Sequence, residues 1–210
     1  MELDPASAKR LTIGYWLYHH RGWGLVPLLA LGLLPNTEWL TVKNGTFMLA
    51  AGAVGILFGT LLRITSYTFS GERPLPPKGL PDTLVTEGPY MITRNPVYLA
   101  EAAIALGIAM MSRMPWLVLA TLLVGALASA LIIEWEENFL RSRFGEAYEE
   151  YCRIVPRWFS FSRLIHPECY AKTRGRVHLL RAVRAESITL LIGLLAILAF
   201  LAKADLETYL

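Results

Sequence analysis

Cysteine is scarce in this 210-residue chain: only Cys152 and Cys169 occur, too few for a disulfide framework. Both fall in a basic segment that the charge pattern assigns to the cytoplasm, where thiols stay reduced. His166 and Cys169 have the spacing of half a zinc site, but no second pair completes it, so no metal is expected. Internal repeats and low-complexity tracts are missing too, which argues against a transporter built from inverted halves. The N-terminal MELDPASAKR lacks the short apolar core and small-residue cleavage site of a removable signal and reads as mature sequence. No base-reading motif accompanies the basic residues, so no nucleic-acid partner is expected from the net charge of +3.

Apolar sequence is what the chain has in excess. Hydrophobic residues make up 54% and the mean hydropathy is +0.42, more than one soluble core needs. Four runs, Gly45 to Leu62, Val97 to Met111, Pro115 to Ile133 and Ile188 to Ala202, approach the roughly 20 residues that span a bilayer. A fifth, Leu11 to Leu34, is interrupted by His19, His20 and Arg21 and reads as a broken span or as an interfacial helix followed by a short span. Basic residues set the orientation. Lys43 and Arg113 stand alone in turns expected outside, whereas Arg73, Lys78 and Arg94, and the arginine-rich stretch from Phe139 to Glu186, mark two cytoplasmic segments. The expectation is an all-α, multi-pass integral membrane protein of about five transmembrane helices, with its N-terminus inside, its C-terminus outside and the lipid membrane as a partner.

Polar residues cluster in LVTEGPYMITRNPVYLAE, Leu84 to Glu101. Upstream and within it, Pro76, Pro77, Gly79, Pro81, Gly88 and Pro89 prevent regular helix. Asn95 is expected to cap the next helix and Pro96 to take its first position, where a missing N–H costs nothing. Arg94, Asn95 and Pro96 then either simply open a span or belong to a site. Glu101 favours a site, because it lies five residues into a membrane helix, about 7 Å deep. Tyr98 and Arg94 share its face if the first turn continues upward, and a purely structural Arg94–Glu101 ion pair is the alternative. From Pro96 to Ser112 the helix rises about 24 Å, and from Pro115 to Glu136 it returns about 32 Å. Glu134, Glu136 and Glu137 thereby reach the edge that holds Tyr90, Arg94 and Asn95, where opposed charges can surround a zwitterion. Glu137 and Arg141 also form a favourable i,i+4 pair. Phe144, Tyr148 and Tyr151 make an aromatic stripe, read as packing surface or lid.

Taken in order, Gly88-Pro89-Tyr90, Arg94-Asn95-Pro96 with Tyr98, Glu136-Glu137 with Leu140, Phe144-Gly145 with Tyr148 and Tyr151, and Val155-Pro156 resemble the isoprenylcysteine carboxyl methyltransferase family, integral-membrane enzymes that also resemble phospholipid methyltransferases. The resemblance runs from Leu84 to about Pro156. It implies S-adenosylmethionine as methyl donor, bound at the cytoplasmic edge by the hairpin ends, and a lipophilic or prenylated acceptor entering sideways from the bilayer. The cofactor contacts expected on this basis are Val85, Gly88, Pro89, Tyr90, Arg94, Asn95, Pro96, Tyr98, Glu136 and Glu137. Arg94, Glu101 and Arg157 are the catalytic candidates: Arg94 to orient a carboxylate, Glu101 with Tyr98 to line the acceptor path, and Arg157 or Arg153 in place of an arginine that relatives put just before the Val-Pro pair, where this chain has Ile154. Many relatives carry His at the position of Asn95, whose amide does not titrate near neutral pH.

Carboxyl methylation of a prenylcysteine-like acceptor is the leading expectation. Phospholipid N-methylation, with Glu101 as base for the amine, and a non-catalytic scaffold or proton-coupled carrier are the alternatives. The chain divides into N-terminal transmembrane helices (1–74), a catalytic hairpin with flanking loops (75–165), and a basic linker with a C-terminal transmembrane helix (166–210).

Overall fold

The computed structural model describes residues 5–35, 45–70, 84–159, 162, 165 and 179–209. The proline-rich stretch around Pro76 and Pro81, His166 and Cys169 lie outside them. Regular structure among the described residues is entirely helical: α1 (Pro5–His20), α2 (Leu25–Gly32), α3 (Thr46–Ser70), α4 (Pro96–Met111), α5 (Pro115–Phe144), α6 (Glu146–Ile154), α7 (Leu179–Ala185) and α8 (Ser187–Tyr209), with 3-10 turns at Arg21–Gly24 and Gly88–Met91.

Three helices are long and apolar enough to cross a membrane, Thr46–Ser70, Pro115–Phe144 and Ser187–Glu207. The expected five are not all of spanning length. Helix α4 has 16 residues, about 24 Å against a hydrocarbon core of about 30 Å. The run from Leu11 to Leu34 is split by the Arg21–Gly24 turn, leaving the eight-residue α2. Gly22 and Gly24 weaken helix there, and Arg21 is drawn aside to Glu101 on α4 at 3.3 Å.

Helices α3 and α4 pack antiparallel and very closely because glycines line their contact. A Cβ on Gly52 would stand 2.5 Å from the Gly107 carbonyl oxygen, and one on Gly59 would stand 2.6 Å from that of Ala100. Among membrane helices, where lipid is as apolar as leucine, such close approach is a main source of association. Helix α8 closes on this pair: Ala196 and Phe200 join Ile56, Ile104, Ile108 and Met111 in the core.

The ends of the bundle differ in chemistry. At one end Arg113, at φ 61°, turns the chain from α4 into α5. There Arg113 pairs with Glu207 of α8, and Lys203 donates to the Gly32 carbonyl at 2.8 Å. At the other end lie the start of α4, the ends of α3 and α5, and the 84–95 segment. Gly145, at φ 53°, ends α5 and starts α6. The break interrupts the aromatic stripe, but Phe144, Tyr148 and Tyr151 still meet in one cluster with Leu84, Leu140 and Val155. The stripe is therefore packing; burial pushes the Tyr148 and Tyr151 phenols well above their ordinary range.

Candidate functional site

Backbone stitching holds the 84–95 segment against the chain after α6. The Arg94 amide donates to the Pro156 carbonyl at 3.0 Å, and the Tyr151 hydroxyl donates to the Tyr90 carbonyl at 2.7 Å. Thr93 Oγ1 and Asn95 Nδ2 both donate to the Arg157 carbonyl at 3.0 Å. Asn95 precedes α4 as expected, yet its side chain makes no cap bond, because the amide is engaged by Arg157. Gly88, at φ 59°, is required where it stands: a Cβ there would lie 2.4 Å from the Phe69 ring. The Pro89 carbonyl accepts from the Ile92 and Thr93 amides, so these two residues shape the turn that presents Tyr90.

The hairpin brings Arg94 and the acids together. Arg94 Nη2 lies 3.0 Å from Glu137 Oε1. Arg157 adds Nε to the same oxygen at 3.1 Å and Nη2 to Oε2 at 2.5 Å, while Arg141 stands 3.6 Å away. Glu137 is 2% exposed and ringed by three guanidiniums. Its hydrogen bonds hold the Arg157 guanidinium above its ordinary pKa. Neither Glu137 nor Arg157 is among the residues lining the neighbouring cleft.

That cleft is lined by Tyr18 and Arg21 from the α1 end, Tyr67 from α3, Tyr90 to Tyr98 from the hairpin's start except Met91, Ile92 and Thr93, and Glu136 from α5. Glu136 accepts a 2.5 Å hydrogen bond from Tyr98. Two donors on its wall, Arg94 Nε and Tyr67 Oη, are buried without a hydrogen-bond partner among the described residues. Unmet buried donors cost about 1–3 kcal/mol each, so a ligand that accepts from them is favoured. Val85, Gly88, Pro89, Glu101 and Glu137 do not line the cleft, whereas Tyr90, Arg94, Asn95, Pro96, Tyr98 and Glu136 do.

Glu101 does not pair with Arg94. Arg63 of α3 donates to it at 2.6 Å and Arg21 approaches at 3.3 Å; Arg63 also donates to Glu186 at 2.6 Å. Arg94 precedes the first turn of α4 and points at Glu137 instead, which removes the structural Arg94–Glu101 pair. Glu134 faces Arg10 at 3.7 Å, so the three acids go separate ways. Sequence reasoning missed Tyr18, Arg21, Arg63, Tyr67 and Glu186 as neighbours of the site. Two of them carried a usable signal, Arg63 as an ionisable residue continuing an apolar run that ends at Leu62 and Arg21 as one interrupting the run from Leu11 to Leu34.

A cleft at the ends of apolar helices, with a guanidinium and a carboxylate facing a common space, suits a small zwitterion beside a lipid phase. Residues 47–147 match the family described as phospholipid methyltransferase. The chain belongs to this family of integral-membrane methyltransferases, which includes the isoprenylcysteine carboxyl methyltransferases. It is 30% identical over 162 residues to the cobalt-zinc-cadmium resistance protein CzcN of Cupriavidus metallidurans, covering 74% of this chain and 70% of the relative. It is also 26% identical over 173 residues to the nickel-cobalt-cadmium resistance protein NccN of Alcaligenes xylosoxydans xylosoxydans, covering 80% and 78%. No solved structure matches the chain.

Methyltransferases of this family generally use S-adenosylmethionine. The residues present fit that group: the unpartnered Arg94 Nε–H suits a carboxylate, and the Glu136 carboxylate suits an ammonium or a ribose hydroxyl.

Proposed function

We propose that the chain is an S-adenosylmethionine-dependent methyltransferase that modifies a lipophilic acceptor drawn from the bilayer, most simply the carboxylate of a prenylcysteine-like molecule. The observation that carries this reading is the convergence of Arg94, with its buried unpartnered Nε, and Glu136 on one cleft at the ends of the α4–α5 hairpin. Arg94 binds and orients the cofactor carboxylate. Glu136 receives the ammonium or ribose, and the Tyr98 hydrogen bond fixes where Glu136 points. Held by these residues, the cofactor would supply a methyl group on cationic sulfur to an anionic acceptor oxygen, the S–C electron pair staying on sulfur, so that the chain has no proton to move. Two opposite charges vanish in that step, which a site poor in water favours. The cleft is proposed to face the cytoplasm, a reading supported by the basic residues of the stretch from Phe139 to Glu186.

Detergent-purified full-length protein is expected to gain thermal stability from S-adenosylhomocysteine, and Arg94→Ala or Glu136→Gln to weaken that binding about tenfold or more. Unchanged affinity in both variants overturns the proposed pocket. Phospholipid N-methylation, which the family description favours, needs a base for the amine. Glu101 is engaged by Arg63 and Arg21 and stands off the cleft, which weighs against that role. Labelled cofactor fed to membranes separates the two readings, by label in a base-labile ester or in a stable methylated amine. The names of the two relatives support a setting of metal-ion resistance, which growth of a deletion strain on cobalt, zinc or cadmium tests.

A further inference from the structure

Tyr67 is 2% exposed, it lines the cleft, and its hydroxyl finds no hydrogen-bond partner among the described residues. A phenol buried that way on a membrane helix calls for an acceptor atom from outside the chain. Its surroundings decide which kind. The Arg63 guanidinium lies over the Tyr67 ring, 5.5 Å from its centre, and Arg21 lines the same cleft. The nearby carboxylates are already engaged: Glu101 by Arg63 and Arg21, and Glu186 by Arg63. Glu136, the one carboxylate on the cleft wall, accepts from Tyr98. Arg21 lies over the Tyr18 ring, 4.4 Å from its centre, and stands 3.3 Å from Glu101 and 3.3 Å from the Tyr98 hydroxyl, both longer than a good charge-assisted bond of about 2.7–2.9 Å. This corner therefore presents a phenol O–H and guanidinium N–H groups, and the ligand atom that fits them is an anionic oxygen.

We propose that Tyr67 and Arg21 form the seat for an anionic oxygen, of a carboxylate or a phosphate, on the lipophilic acceptor. The proposal deepens the methyltransferase reading and rests on it for the fate of the acceptor, but the binding itself requires no cofactor. Tyr67 donates to one oxygen of the anion and Arg21 faces its charge, in the same cleft as Arg94 and Glu136, which are assigned to the cofactor. Tyr18 and Arg21 lie outside the family-matched residues 47–147, so this corner is where the chain sets its own acceptor.

The test is binding of lipid probes to full-length protein in detergent, without cofactor, with S-adenosylhomocysteine affinity measured in parallel. The probes are N-acetyl-S-farnesylcysteine, its uncharged methyl ester, and lysophosphatidic acid. The wild type is expected to bind a carboxylate or phosphate probe at least about tenfold more tightly than the ester, and whichever anion wins names the source. Tyr67→Phe, which removes one O–H, and Arg21→Lys, which loses the planar fork, are each expected to weaken that anion about tenfold, and Tyr67→Phe to leave S-adenosylhomocysteine affinity within about twofold. No preference for the anions over the ester, or unchanged anion affinity in either variant, overturns the seat. Tyr67-dependent anion binding by a protein that ignores S-adenosylhomocysteine supports the seat and overturns the methyltransferase reading instead.

Discussion

Glutamine at position 137 separates a structural carboxylate from a ligand-binding one. The substitution keeps the shape and one acceptor oxygen but removes the charge that faces Arg94, Arg141 and Arg157. Arg141 and Arg157 have side chains 40% and 43% exposed, so water screens their share, about 0–1 kcal/mol each. Arg94 is 11% exposed and loses its one charged partner among the described residues. Removing one member of a buried pair costs about 3–5 kcal/mol, and the surviving amide oxygen recovers about 1 of these. The sum is a loss of about 2–6 kcal/mol, which at about 2–4 °C per kcal/mol for a chain of this size lowers Tm by roughly 4–24 °C. Thermal unfolding of the detergent-purified variant reads it. Glu136→Gln is the control, since it loses a single hydrogen-bond contact with Tyr98 and should lower Tm by less than about 4 °C while weakening S-adenosylhomocysteine more. If Glu137→Gln melts within about 2 °C of the wild type, the three-arginine cage has no structural weight and the division of labour between the two glutamates is wrong.

Further expectations test the frame around the site. Gly107→Val should destabilise by about 1–3 kcal/mol or more, because a Cβ there meets the Gly52 carbonyl at 2.6 Å, whereas Gly125→Ala, with nothing within 4 Å, should be neutral or stabilising by up to about 1 kcal/mol; paired melting curves decide. Arg63→Gln takes the guanidinium away from Glu186, which is 0% exposed, and should lower stability by about 3–5 kcal/mol, with Glu186→Gln in the same chain restoring part of it in a double-mutant cycle. The raised phenols of Tyr90, Tyr148 and Tyr151 mean that the folded chain keeps protons the unfolded chain releases. Their contribution is complete below about pH 10 and is lost as pH climbs through the folded values, so stability should be flat in this respect from about pH 6 to 9 and fall above about 10.

Local rules and one length argument were enough to read the hairpin. Pro96 and Pro115 start α4 and α5, Ser112 follows α4 directly, and the longer return carries Glu136 and Glu137 back to Arg94. Both helix starts rest on chemistry within a few residues, and the return rests on counting 1.5 Å per residue. The partners of Glu101 were illegible for the opposite reason. Arg21 is 80 residues away along the chain and Arg63 is 38, and nothing in either neighbourhood points at α4. Asn95 shows a milder failure: its position before Pro96 was readable, but its side chain answers to a carbonyl 62 residues on. The break in the run from Leu11 to Leu34 was legible from His19, His20 and Arg21, whereas which of the five apolar runs form helices of spanning length was not, since composition does not set where a helix ends.

The same division runs through the cleft itself. Its hairpin wall, from Tyr90 to Tyr98 with Glu136, comes from residues 47–147 and so from the part matched to the family. Its far wall is completed by Tyr18 and Arg21, which lie outside that match, and by Tyr67, held beneath Arg63 and backed by Glu186 from outside it as well. Arg94 is fixed by Glu137 and by a backbone bond to Pro156, not by any residue of the far wall, which meets the hairpin instead at Tyr98 and Glu101 through Arg21. Variation in the far wall therefore leaves the seating of Arg94 intact, and the residues to compare first among relatives that share the hairpin are those at positions 18, 21 and 67.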